Sequence, residues 1–145
     1  STSVGDHTFL IVVEPDDNDN TRYYFDSNSG RLIFTNSGGF GPVGQGYYDG
    51  AFRTFGPAPL TPHVCAVVLD DETGELFRNG ASQGTDTYVA KGIGGTTRIG
   101  SNRGALSQVY DGAMAEFVIC DAASSGANRQ AAEADVADYW GITLP

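Results

Sequence analysis

Three apolar runs stand out along the chain: residues 7–14 (HTFLIVVE), 63–70 (HVCAVVLD) and 112–120 (GAMAEFVIC). Each reads as a strong strand, and the first, rich in β-branched side chains, as a central strand covered on both sides or one lying between an inner face and the module's own loops. Pro15 stops the first run, and residues 16–20 (DDNDN) form a polar turn. Shorter strands fill the intervals. Residues 21–26 (TRYYFD) turn through 27–30 and return as 31–34 (RLIF) in a hairpin. Residues 35–47 are Gly-rich and read as loop, and 47–54 as a short edge strand. Residues 56–62 (GPAPLTP) hold three prolines and read as a connection.

After the second long run, Asp71-Glu72-Thr73-Gly74 reads as a turn and 75–79 as a strand. Asn79-Gly80 predicts a two-residue hairpin, because a type I′ turn needs φ > 0 at both central residues. Residues 85–90 pair back, and 96–100 add a short strand. The tail changes period. Ala132, Val136, Tyr139 and Trp140 recur at helical spacing, which predicts a helix over 127–140 that packs its Trp140 end on the sheets. Gly141 stands where a C-capping glycine belongs. The expectation is an all-β, antiparallel β-sandwich (jelly roll) with one short C-terminal helix. It forms one domain over 1–145, either whole or as the C-terminal part of a larger chain.

Composition narrows the function. The chain has 145 residues, 40% apolar and 18% charged, enough for one core. Eight basic against 18 acidic residues leave a net charge of −10. That argues against nucleic acid and against anionic lipid, both of which need cationic groups. No stretch approaches the ~18 apolar residues of a membrane span. Cys65 and Cys120 sit in apolar runs and read as two buried free thiols. A disulfide is the alternative if their strands are neighbours.

Catalytic signatures are missing. His7 and His63 stand at strand entrances, and no G-x-S-x-G elbow accompanies them. Asp70, Asp71, Glu72 and Glu75 coincide with a turn and read as solvated acids. Asp16, Asp17, Asp19 and Asn20, with Asn18, place five oxygen-bearing side chains in one loop. That makes Ca²⁺ the cofactor to consider, with a plain polar turn as the competing reading.

Four pieces resemble one family when read in order. Leu76-Phe77-Arg78-Asn79-Gly80 is similar to the strand and N-G hairpin of concanavalin A-like and laminin G-like jelly rolls, and Arg98-Ile99-Gly100 follows it. Tyr110-Asp111-Gly112 with residues 113–121 (AMAEFVICD) resembles that family's F-D-G-x-I-A-E-hydrophobic strand. Residues 127–142 resemble the terminal helix, ending in W-G or Y-G, of many bacterial and phage members. The resemblance spans roughly residues 7–142. It departs at the start, where family domains usually have upstream strands, and an edge exposed there would need capping.

The resemblance implies a non-enzymatic binding module of a secreted or cell-surface assembly, recognising a glycan or a protein partner. The alternative is a structural or decoration domain of a phage virion, as a homo-oligomer or beside virion neighbours. Glycanase relatives use a carboxylate pair about 5–5.5 Å apart, and the usual E-x-D-x-x-E signature is missing from this sequence. Sugars stack on aromatic faces while carboxylates and amides bond their hydroxyls. Tyr47, Tyr48 and Asp49 form one candidate cluster, and Asn102, Arg103 and Tyr110, with Gln108, another. Tyr23 and Tyr24 are a third, where strand alternation turns one ring outward. The competing reading for all of them is core and loop packing.

Overall fold

A computed structural model describes residues 6–16, 21–27, 32–36, 44–89, 93, 96–101 and 109–145. The chain divides into two compact units. One is formed by Ser1–Glu14, Thr61–Ala90 and Ala113–Pro145, the other by Pro15–Leu60 and Lys91–Gly112.

The first unit holds β1 (His7–Pro15), β6 (His63–Asp70), β7 (Thr73–Arg78), β8 (Ala81–Thr87), β10 (Gly112–Cys120) and α1 (Gly126–Trp140). Its sheet runs β10-β1-β6-β7-β8. β1 and β6 pair antiparallel from His7↔Leu69 to Val13↔His63. Both are buried almost end to end, which is why both read as unbroken apolar runs. Leu10, Val12 and Val64 share one face and pack with Val136 and Ala137 of the helix. Burying each of these larger side chains is worth about 1.5–3 kcal/mol.

The turns follow their chemistry. Asn79 and Gly80 have φ of 47° and 84°, as a type I′ turn demands. Asn79 also clamps the tip onto β6: its Oδ1 accepts from the Val64 N–H, and its own N–H donates to the Val64 carbonyl, both at 2.9 Å. So tight a turn leaves no loop, and β8 begins at Ala81 rather than at residue 85. The preceding turn is also shorter than the sequence predicts. Only Asp71 and Glu72 lie in it, while Thr73 and Gly74 already pair in β7.

The helix starts on Ser125, whose side chain accepts from the Asn128 N–H, and ends on Gly141 in the left-handed region. The Gly141 N–H donates to Asp138 and the Ile142 N–H to Ala137, while Ile142 packs on the core beside it. Its buried stripe corrects the sequence expectation. Arg129, Glu133, Val136 and Ala137 face inward. Ala132, Tyr139 and Trp140 are exposed. Seven of the fifteen residues of α1 are Ala or Asp, so apolar spacing alone could not select the face.

The cysteines divide. Cys65 is buried and free, while Cys120 is free and exposed at the end of an edge strand. β1 lies between their strands. Two strand spacings of about 4.8 Å exceed disulfide reach.

The second unit holds β2 (Arg22–Ser27), β3 (Leu32–Asn36), β4 (Gly44–Tyr48), β5 (Phe52–Thr54) and β9 (Thr97–Ile99), in sheet order β5-β4-β3-β2-β9. β4 corrects the reading of 35–47 as loop. Glycine is used there for close approach: a Cβ at Gly46 would lie 1.7 Å from the Arg53 carbonyl oxygen across the hairpin.

Candidate functional site

The β4–β5 hairpin is the edge of the second unit's sheet. Its register places Tyr48 opposite Phe52 and Tyr47 opposite Arg53. The Tyr48 and Phe52 rings meet with centroids 4.9 Å apart at 54°, and both pack against buried Tyr23 while remaining partly exposed. Cross-strand aromatic pairs of this kind stiffen a hairpin. Asp49 closes the turn. Its Oδ1 accepts from the Ala51 N–H at 3.0 Å and lies 3.6 Å from Arg53 Nε. An aspartate bonded to its own backbone two residues on is the usual Asx turn. Strand alternation puts this two-ring apolar surface on one face of the hairpin and Arg53, with its partner Asp49, on the other.

Tyr47 and Asp49 themselves are only 2% and 1% exposed. The Tyr47 ring lies against Phe55, with centroids 5.9 Å apart. Tyr48 is thus the member of the predicted trio with ring surface open to a ligand. Phe52 joins it and escaped the sequence reading. The Asp49-Gly50 turn signal was the clue, since a hairpin there pairs Tyr48 with Phe52.

Tyr110 is held elsewhere on the sheet. Its N–H donates to the Gly100 carbonyl at 2.7 Å, and its ring meets Tyr24 edge-on, with centroids 5.0 Å apart. The Tyr24 hydroxyl accepts from Gln45 Nε2. Tyr48 belongs to the face carrying Tyr23 and Phe52, whereas Tyr110 belongs to the face carrying Tyr24 and Gln45, so the two do not share a surface. Asn102 and Arg103 lie outside the described residues. Tyr23 and Tyr24 are both buried, against the expectation that one faces outward. A bulge between Tyr23 and Phe25 interrupts the alternation, and Tyr48 and Phe52 cover the face that Tyr23 takes.

Of the proposed calcium loop, Asp17, Asp19 and Asn20 lie outside the described residues. Asp16 is exposed, and its N–H donates to the Asp111 carbonyl. The Asp111 carboxylate lies 3.8 Å from Arg22. Among the described residues no three His, Cys, Asp or Glu side chains converge as a metal site.

The histidines stand at strand starts. His7 Nδ1 is 3.1 Å from the Asp121 carboxylate. His63 Nδ1 is 2.9 Å from the Thr61 carbonyl oxygen, and burial pushes its imidazole below the usual histidine range. Neither is bonded to a serine or cysteine among these contacts. Asp70, Asp71 and Glu72 are exposed around their turn, and Glu75 accepts from the Ser82 hydroxyl.

Solved structures share the fold. A candidate carbohydrate-binding protein from Bacteroides ovatus superposes with a TM-score of 0.74 at 13% identity, covering 88% of this chain and 40% of its own. Domain 4 of AbnA, an extracellular arabinanase from Geobacillus stearothermophilus solved with arabinotriose, gives 0.66 at 17%, covering 88% and 66%. The carbohydrate-binding module CBM40 of the Ruminococcus gnavus IT-sialidase gives 0.63 at 15%, covering 90% and 83%. The chain thus spans less than two thirds of the first two. No curated protein sequence matches it. No described helix is long and apolar enough to cross a membrane. The sequence pattern of one family matches residues 1–128, and the two antiparallel sheets and terminal helix agree with it. The chain belongs to the concanavalin A-like lectin/glucanases superfamily, a β-sandwich fold.

Proposed function

We propose that this chain is a non-enzymatic glycan-binding module of a secreted or cell-surface assembly. The observation that carries the reading is the partly exposed Tyr48–Phe52 ring pair on an edge hairpin. Aromatic faces give a sugar ring its apolar contact, and the Tyr48 hydroxyl can exchange hydrogen bonds with its hydroxyls. Support also comes from the neighbours, two of which are a carbohydrate-binding module and a domain solved with arabinotriose. Tyr110, with Asn102 and Arg103 shortly before it in the sequence, is a separate candidate contact.

The test is a glycan array followed by calorimetry on the wild type and on Tyr48→Ala. Truncating a stacked ring should weaken binding by about tenfold, taking a stacking contribution near 1.4 kcal/mol. Unchanged affinity in the folded variant would move the site elsewhere, and no glycan bound at millimolar concentration would end the reading.

A second reading, a structural domain assembled with neighbours in a phage virion, is favoured by β10. This nine-residue strand forms the edge of its sheet and exposes Val118 and Ile119. Long apolar edges are templates for pairing with another chain. Light scattering separates the two readings: a monomer at all concentrations speaks against assembly, and a closed oligomer speaks for it.

A further inference from the structure

A different part of the molecule carries chemistry that the hairpin site does not use. α1 ends on Tyr139 and Trp140, whose rings stand at 79° to each other with centroids 5.1 Å apart. Both are exposed, by 78% and 43%, although large aromatic side chains are ordinarily worth burying. The indole is fixed in place by its Nε1–H, which donates to Glu116 Oε2 of β10 at 3.0 Å. The two rings, Glu116 and Asp135 line a cavity of about 380 Å³, floored by Ala115 and Val136.

The lining has two carboxylates and no basic side chain. The helix adds to the negative side. Its last turn holds no basic residue, so the roughly half-unit negative charge of a helix C-terminus meets no side-chain cation there. The protein's net charge of −10 has the same sign.

Two ring faces at nearly a right angle make a corner rather than a platform. A flat sugar ring would lie on one face only and would gain nothing from an uncompensated negative field. A compact cation with methyl groups touches both faces at once and is attracted by the ring quadrupoles and the carboxylates together. The geometry points to a binding site for a trimethylammonium group at the Tyr139–Trp140 corner, with Glu116 and Asp135 as its counter-charges. Choline and Nε-trimethyllysine present the same group, one as a free molecule or lipid headgroup, the other on a peptide. The site stands independently of the glycan reading.

Trp140 is the chain's single tryptophan, so its emission reports this site alone. The experiment titrates the whole chain with choline, with Nε-trimethyllysine, and with 3,3-dimethylbutan-1-ol, the uncharged carbon analogue of choline, at constant ionic strength. A saturable change with the ammonium compounds is expected, with the neutral analogue at least about tenfold weaker. The tighter of the two ammonium ligands identifies the source. Tyr139→Ala and Asp135→Asn should each weaken choline by about fivefold, and both positions are exposed, so the fold should tolerate either change. An equal response to the neutral analogue, no saturable response to any ammonium ligand, or full affinity in both variants would overturn the assignment.

Discussion

Arg129 and Glu133 form an ion pair on the buried side of α1, and the Arg129 guanidinium lies 3.5 Å above the centre of the Phe77 ring. Apart from Val136 and Ala137, this pair is what the helix buries. A charged contact therefore does much of the docking that leucines would do in a more apolar helix. Truncating one member of a buried pair leaves the other charge without its partner. Arg129→Met should cost about 3–5 kcal/mol, read as a lower urea midpoint. Replacing both residues with apolar ones should cost much less.

The same pair sets a pH dependence. Burial pushes the Glu133 carboxyl above the usual carboxylate range, against the pull of Arg129. A raised native pKa means the folded state holds the proton more tightly than the unfolded chain. Its contribution to stability is therefore full below the unfolded value near 4.3 and is lost as the pH rises through the higher native value. Glu133→Gln removes that titration. Relative to wild type, the variant should gain stability as the pH rises from about 4 towards neutrality. Denaturant curves across that range check it, and a constant difference would contradict it.

Thiol chemistry should separate the two cysteines. The Cys65 thiol is pushed up to about 12 by burial, while Cys120 is exposed at the sheet edge. Only a thiolate alkylates readily. Iodoacetamide should label Cys120 in the native protein and Cys65 only after unfolding, as peptide mass spectrometry would show. With β1 between the two strands, a reductant should leave the melting temperature unchanged.

Gly46 links the fold to the candidate glycan site. A methyl group there would collide with the Arg53 carbonyl, which is backbone and has nowhere to retreat without opening the hairpin. Gly46→Ala should free β5, speed hydrogen exchange at residues 52–54, and abolish glycan binding while the first unit's sheet stays protected.

Much of the architecture was legible in the chain. Residues 63–70 and 112–120 became β6 and β10 with the predicted bounds. Turn residues sit at both ends of each; β6 is buried nearly end to end, whereas β10, at the sheet edge, is largely exposed. Asn79-Gly80 dictated its hairpin because few residues tolerate positive φ twice in succession. Gly141 ended the helix for the same reason. What the tertiary structure decided was which side each residue shows. The two exposed rings at the end of α1 sit where the sequence placed core, because an ion pair rather than an apolar stripe chose the helix face. Tyr23 and Tyr24 are both buried because a bulge breaks the alternation and neighbouring aromatics cover the second face. Cys120 is exposed because its strand lies at an edge, and edge position depends on pairing order rather than local pattern. Periodicity records the environment of a single element. Burial and the meeting of side chains depend on partners distant in sequence, and only folding supplies those.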